Sequence, residues 1–184
     1  MGCIELKNEN IYKGYLVLIN PDNLLKEKQN IVPFDNEYKD IRLEKKANEQ
    51  LHLALSKIKS KKKIVPVSGF RTLEEQIDIF ESSIKENGEE CTRKFVALPN
   101  ASEHQTGLAI DLALNEGEID FICPSFPYYG ICQEFRNIAP KYGFIERYKD
   151  EKKNITKISK EEWHFRYVGY PHSQIITNSL GYNR

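Results

Sequence analysis

Two short segments of the chain combine histidine with carboxylate residues, the side chains that bind metal ions and transfer protons. The first segment, 102–111, contains His104 and ends at Asp111. The second, 161–167, contains His164 shortly after two glutamates. Two imidazoles and one carboxylate, with a fourth position left to water, are the usual ligands of a catalytic zinc ion. These three side chains predict a zinc site; the alternative is a core histidine bonded to Asp111 and a second histidine at the rim.

The spacing within the first segment is weaker support for a shared site than the residue types are. His104 and Asp111 are seven residues apart, so their side chains would lie on opposite faces of one straight strand. Gly107 lies between them, and glycine gives the backbone a place to turn. We therefore expect the chain to change direction there before a strand begins.

The second segment offers two candidates for the general base of a hydrolysis. In a strand, Glu162 and His164 share a face, whereas in a turn or helix Glu161 and His164 do. Either glutamate could take a proton from water, or be a surface charge. Residue counting leaves this choice open. Trp163, the single tryptophan, is more typical of a core or of a site wall.

The elements that must position these segments are helices and short strands in irregular order. Apolar residues at steps of three and four predict helices near 40–60, after Thr72 with its capping-box partner Glu75, and near 131–139. Strands are predicted at 15–19, 64–68, 108–114, 143–145 and 163–168, with Pro66 favouring an edge position. This mixture predicts an α+β fold with antiparallel pairing.

The length and composition of the chain indicate which classes of protein it can belong to. With 184 residues, 40% hydrophobic and 29% charged, the chain is typical of one globular domain, which we expect to span 1–184. The 27 basic and 27 acidic residues cancel, so no nucleic-acid partner is expected. The longest apolar run is about five residues, too short for a membrane span or an export signal, which predicts a cytoplasmic protein. Four scattered cysteines, at 3, 91, 123 and 132, fit neither a zinc knuckle nor a disulfide framework.

Compared residue by residue, the two histidine segments resemble the paired sequence signature of the bacterial zinc D,D-peptidases of vancomycin resistance. That signature reads Ser-x-His-x-x-Gly-x-Ala-x-Asp, followed later by Glu-x-Trp-His, and it is present at 102–111 and 161–164. Further matching blocks lie at 68–71 leading into Gln76, at 96–99 and at 163–174. The resemblance extends from about residue 15 to 177 and is greatest to the bifunctional VanXY type. It implies a single domain with a small antiparallel sheet flanked by helices, as in the hedgehog signalling domain.

The resemblance also assigns roles to residues. It implies that His104, Asp111 and His164 bind one zinc ion per chain, and it favours Glu161 over Glu162 as the general base. Glu162 stands where relatives often have proline, so the turn before Trp163 is expected to differ.

Three further residues match polar positions of the family. Arg71 matches an arginine that stabilises the oxyanion at the scissile carbonyl; the alternative is a surface partner for Glu74 or Glu75. Ser102 and Gln76 match substrate-binding positions, Ser102 beside the substrate and Gln76 as a buried polar support; both could instead be capping groups.

The activity implied is zinc-dependent hydrolysis of D-Ala-D-Ala and of the terminal D-Ala of muramyl pentapeptide precursors, which gives glycopeptide resistance. The expected partner is thus a small peptide ending in D-Ala-D-Ala, while the oligomeric state is open. An endolysin-like peptidase of the mature cell wall is one alternative, and a catalytically silent zinc-binding interaction module is another. The presence of both Glu161 and Arg71 weighs against the silent module. A cysteine hydrolase using Cys91 is disfavoured, because nothing in its polar surroundings would activate a thiolate.

Overall fold

Two small antiparallel sheets form the β part of the fold. The computed structural model describes residues 8–26, 30–59 and 63–179. Within these ranges the strands, numbered in chain order, are β1 (Ile31–Pro33), β2 (Arg42–Glu44), β3 (Ile64–Ser68), β4 (Ala109–Leu114), β5 (Phe144–Glu146) and β6 (His164–Tyr167). Strands β1 and β2 form a hairpin, and the other four lie side by side in the order β3-β4-β6-β5. All the pairings are antiparallel, as the sequence predicts.

Helices cover and connect these sheets. Over the same described ranges they are α1 (Lys45–Ser56), α2 (Leu73–Asn87), α3 (Glu89–Phe95), α4 (Gly130–Ile138), α5 (Lys153–Thr156) and α6 (His172–Ser179). A short 3₁₀ turn, Glu103–Thr106, precedes β4. The predicted α+β fold, a small antiparallel sheet flanked by helices, is confirmed.

Several local predictions are confirmed as well. Thr72 and Glu75 form the predicted capping box at the start of α2, each side chain bonding the other's backbone N–H. Strand β3 lies at the edge of the four-stranded sheet, as its proline predicted. The predicted helix at 40–60 is shorter, because residues 42–44 pair with β1 and the Glu44 carboxylate caps α1 by accepting from the Ala47 N–H.

The strand predicted at 15–19 is wrong. The segment is irregular, although Val17 and Ile19 are buried in the core. Two of its carbonyls, those of Tyr15 and Val17, accept hydrogen bonds from the Arg166 guanidinium instead of from a neighbouring strand. An arginine side chain thus satisfies backbone groups that a strand partner would otherwise satisfy.

One hydrophobic core lies between the four-stranded sheet and the helices. It joins α1, α4 and strands β2, β4, β5 and β6, together with the residue before β4, through fully buried side chains: Leu43, Leu51, Leu108, Ile110, Leu112, Phe135, Phe144 and Phe165. Rings of Phe126, Phe135 and Phe165 meet edge to face with centroids 5.0 to 6.0 Å apart, a favourable geometry for aromatic pairs. This packing fixes the positions of β4 and β6, the two central strands that carry part of the site described below.

Three remaining predictions concern the whole chain. Cys91, Cys123 and Cys132 are free thiols, and Cys3 lies outside the described residues. In the ranges described, every helix is too short or too polar to cross a bilayer. That residues 1–184 form one domain stays a prediction.

Candidate active site

The sheet register brings the two histidine segments together. Asp111 on β4 lies opposite His164 on β6 and, on its other side, opposite Ser68 on β3. Residues directly opposite each other in an antiparallel pair have adjacent side chains. Asp111 and His164 are therefore neighbours because of strand pairing alone.

The third member of the group, His104, is placed by a glycine turn. It lies in the 3₁₀ turn before β4, which ends at Gly107 in a left-handed conformation with φ of 70°. A Cβ at that glycine would clash with the Ile31 side chain and lie 3.0 Å from the Glu44 backbone nitrogen. Only glycine fits this turn, and the turn predicted from the sequence is confirmed.

The three side chains converge in the protein interior. His104 Nε2 lies 3.1 Å from Asp111 Oδ2, and His164 Nδ1 lies 3.0 Å from Asp111 Oδ1. His104 is 5% exposed and His164 is 1% exposed, so the alternative with a rim histidine does not describe this arrangement. One donor atom from each residue lies within 4.8 Å of the others.

This donor set has the chemistry and spacing of a zinc site. Ligand bonds of ~2.0–2.1 Å in tetrahedral geometry place neighbouring donor atoms about 3.3 Å apart. The observed separations of 3.0 and 3.1 Å are close to that value. Burial alone would raise the pKa of Asp111, but the two imidazoles lower it below its ordinary value, which keeps a carboxylate ready to bind a cation.

Glu161 lies beside this group, whereas Glu162 does not. The Glu161 carboxylate is 3.7 Å from His164 Nδ1 and the residue is 6% exposed. Glu162 turns outward and pairs with Lys160 at 2.9 Å. Burial raises the pKa of Glu161 to about 8, near the range that suits a group which takes up and releases a proton.

Arg71, which follows the end of β3, lies beside the same group. It donates two hydrogen bonds to the Ser68 hydroxyl, at 3.0 and 2.7 Å, and lies 3.6 Å from Asp111. The surface role considered for it does not occur with Glu75, which pairs with Arg42 instead. Gln76 is fully buried; its side-chain oxygen accepts from Arg71 at 3.4 Å.

A cavity of about 180 Å³ opens above these groups. Its polar wall includes Ser102 together with Arg71, Glu161 and the two histidines and aspartate, while Gln76 contacts Arg71 and does not line the cavity. Its apolar rim is built by side chains from α2, α3, the loop before α4 and the turn before β6: Ile79, Phe95, Phe121, Ile122 and Trp163. A larger cavity of about 410 Å³ lies between α4, β5 and α6 and is separate from this group.

Several polar residues that hold the site in place, most of them buried, were not expected from the sequence. Glu103, Arg147 and Arg166 form an ion-pair cluster behind His164. Arg136 donates to the carbonyls of Phe126 and Glu162, which ties the loop before α4 to the turn that carries Glu161. Charged residues in a strand or helix are usually surface residues, so their types alone carried no signal of burial.

Comparison with known proteins identifies the family. The VanY family, described as D-alanyl-D-alanine carboxypeptidase, matches residues 40–170, which include the two histidines and the aspartate of the site and Glu161. The chain belongs to this family. Membership in the VanY family confirms the resemblance drawn from the two sequence segments.

Individual relatives support the assignment of this chain to the VanY family. The bifunctional D-Ala-D-Ala dipeptidase and carboxypeptidase VanXYC of Enterococcus gallinarum is 44% identical over 168 residues, 88% of this chain and 87% of the relative. A solved structure of the vancomycin-resistance D,D-dipeptidase VanXYg, in complex with a D-Ala-D-Ala phosphinate analogue, is 54% identical with a TM-score of 0.88. That match covers 97% of this chain and 71% of the other.

A third relative carries the metal. A mutant of the D,D-pentapeptidase VanY from the VanB-type resistance cassette, solved in complex with Zn(II), is 25% identical. It superposes with a TM-score of 0.75 over 89% of this chain and 93% of its own. Zinc is thus the metal found in this VanY-family structure, in agreement with the donor set at His104, Asp111 and His164.

Proposed function

We propose that this chain is a zinc-dependent D,D-peptidase that cleaves free D-Ala-D-Ala and removes the terminal D-Ala from muramyl pentapeptide precursors. The observation that carries the proposal is the buried group of two histidines and one aspartate with Glu161 3.7 Å from His164, at the floor of a cavity. The D-Ala-D-Ala dipeptidase and carboxypeptidase activities named for the VanXYC relative support these two kinds of reaction.

The proposed ligands are His104 Nε2, Asp111 and His164 Nδ1, which together hold one zinc ion per chain. When bound there, zinc polarises the scissile carbonyl and acidifies water. Glu161 takes a proton from the attacking water and passes it to the leaving amine, so that one group serves as base and then as acid.

Arg71 is proposed to hold the substrate carbonyl oxygen as it gains negative charge. Its guanidinium is fixed by Ser68 and Gln76, so little reorganisation is needed when the charge develops. Gln76 is itself held by donating to the Ala97 carbonyl at 2.8 Å, which makes it a support for Arg71. Ser102 lines the cavity within reach of a bound peptide.

The longer substrate needs room beyond the dipeptide, and a second cavity supplies it. This cavity has a volume of about 260 Å³ and shares Val96, Ala97 and Ile158 with the first. Lys157 lines it, as does Arg93, which is paired with Glu89, so its wall offers the Lys157 ammonium to the carboxylates of a peptide stem. We propose that the first cavity holds the D-Ala-D-Ala end and that the adjoining second cavity holds the rest of the longer peptide.

The biological role we propose is removal of D-Ala-D-Ala ends from peptidoglycan precursors, as glycopeptide resistance requires. The free dipeptide and the nucleotide-linked pentapeptide are cytoplasmic compounds, and we therefore propose a cytoplasmic location for the enzyme.

The test is an assay of purified, zinc-loaded protein on D-Ala-D-Ala and on UDP-muramyl pentapeptide. We expect D-Ala to be released from both, and chelation to abolish both reactions. A protein that loads zinc and cleaves neither substrate would contradict the proposal and favour a silent zinc-binding module. Hydrolysis of mature cell-wall peptides alone would favour the endolysin-like alternative.

A further inference from the structure

Glu103 is a buried carboxylate next to the proposed zinc ligands, and the mechanism above gives it no role. The residue is 1% exposed and lies between Ser102 and His104. A buried charge is costly unless ion pairs and hydrogen bonds satisfy it. The partners of the Glu103 carboxylate therefore indicate its role in the protein.

The two oxygens of Glu103 face different partners. Oε1 accepts a hydrogen bond from Arg147 Nε at 2.8 Å and lies 3.1 Å from Arg166 Nη1. Oε2 lies 3.3 Å from His164 Nε2, the ring nitrogen on the far side from Asp111. The carboxylate thus has one oxygen held by two guanidinium groups and the other aimed at a proposed zinc ligand.

We infer that Glu103 is a positioning residue that holds His164 in the orientation and tautomer required to bind zinc. A neutral imidazole carries one N–H and one free lone pair. A proton on Nε2, donated to Glu103, leaves the Nδ1 lone pair directed at Asp111 and the metal position. This inference rests on the proposed zinc centre.

The other histidine is held in a corresponding way. His104 Nδ1 lies 2.7 Å from the Gly69 carbonyl, which leaves Nε2 directed toward Asp111. The two ligands differ in the charge of the outer partner, because His104 donates to a neutral carbonyl and His164 to a carboxylate. A carboxylate partner raises the basicity of the imidazole more, so Glu103 favours metal binding as well as orienting the ring.

The two arginines fix the carboxylate from the sheet. Arg166 follows His164 by two residues on β6, so both side chains lie on the same face of the strand. Its guanidinium also donates to the carbonyls of Tyr15 and Val17, which anchors it to the N-terminal segment. Glu103 therefore cannot turn away from His164 without separating its carboxylate from the buried Arg166 and the partly buried Arg147.

The experiment compares zinc affinity, measured by competition with a chromophoric chelator, in the wild-type protein and in Glu103→Ala and Glu103→Gln. We expect Glu103→Ala to weaken zinc binding by ~10–100-fold, the usual effect of removing a partner behind a metal-bound histidine. Glu103→Gln has one oxygen for three donors, so its NH2 group faces either the two guanidinium groups or the His164 Nε2–H, and we expect it to weaken zinc binding as well.

A spectroscopic readout separates positioning from general destabilisation. In the zinc-loaded protein, the His164 Nε2–H proton resonance reports the hydrogen bond to Glu103 and should shift upfield in Glu103→Ala. Glu146→Gln is the matched control, because the Glu146 side chain is another buried acid paired with an arginine, Arg136 at 3.4 Å. It should leave both the zinc affinity and that resonance unchanged, whatever it does to stability.

Wild-type zinc affinity and an unchanged Nε2–H resonance in Glu103→Ala would overturn the inference and leave the proposed function standing. An equal loss of affinity in Glu146→Gln would also overturn it, by showing that stability alone is responsible. A folded wild-type protein that binds no zinc would overturn the proposed function, and the inference with it.

Discussion

The glycine turn before β4 gives a quantitative prediction about how the site is assembled. Gly107 has a φ of 70°, and Gly14 has a φ of 68°. A Cβ at Gly14 would have no heavy atom within 4 Å, whereas a Cβ at Gly107 would lie 3.0 Å from the Glu44 backbone nitrogen. The two sites thus share the backbone strain of an L-residue and differ in crowding.

The crowding at Gly107 determines how much more stability an alanine should cost there than at Gly14. A left-handed conformation costs an alanine about 1–2 kcal/mol at either position. Crowding adds about 1–3 kcal/mol at Gly107, because the clashing Ile31 methyl can rotate but the backbone of Glu44 can move only with the start of α1. We expect Gly107→Ala to lower the free energy of unfolding by about 2–5 kcal/mol and Gly14→Ala by about 1–2 kcal/mol.

The assay is denaturant unfolding of both variants, followed by zinc titration of each folded protein. We expect Gly107→Ala to weaken zinc binding as well, because the crowded turn displaces His104 from Asp111. Equal losses of stability in the two variants, with wild-type zinc affinity in Gly107→Ala, would refute the argument that this turn sets the ligand geometry.

Three further predictions concern catalysis. Glu161→Ala should retain zinc and lose at least ~10²-fold in kcat. Glu162→Ala, which changes the outward side chain, should lower kcat only slightly. A large loss of kcat in Glu162→Ala and a small one in Glu161→Ala would mean that Glu162 is the general base. Gln76→Ala should lower kcat at near-constant zinc content because Arg71 loses a support, and an unchanged kcat would remove that role. D-Ala-D-lactate should be cleaved up to ~10⁴-fold more slowly than D-Ala-D-Ala if an acceptor binds the scissile N–H, and D-Ala-D-Ser about 10²-fold more slowly; comparable kcat/KM values would argue against the resistance role.

The sequence predicted the fold class, and it predicted that His104, Asp111 and His164 lie together, where local chemistry decides these features. A capping box, a proline at a strand edge and a glycine between His104 and Asp111 each act over a few residues, so each can be found in the sequence. The choice between Glu161 and Glu162 depended on where β6 begins, and strand boundaries are uncertain from sequence by a few residues.

Other features depended on contacts between distant parts of the chain. The segment 15–19 has strand-like composition, yet Arg166, about 150 residues later, bonds its carbonyls. Glu103 is an ordinary acid in the sequence, and its burial follows from two arginines on β6 and just after β5. Long-range pairings of this kind override local propensity and leave no periodic pattern to detect.

The central claim, that His104, Asp111 and His164 hold one zinc ion, is tested most directly by the metal content of purified variants. His52→Ala is the matched control, since that histidine lies on α1 and bonds the Phe34 carbonyl at 2.8 Å, outside the site. We predict one zinc per chain in the wild-type protein and in His52→Ala, and far less than one in His104→Ala. Stoichiometric zinc in His104→Ala would contradict the claim.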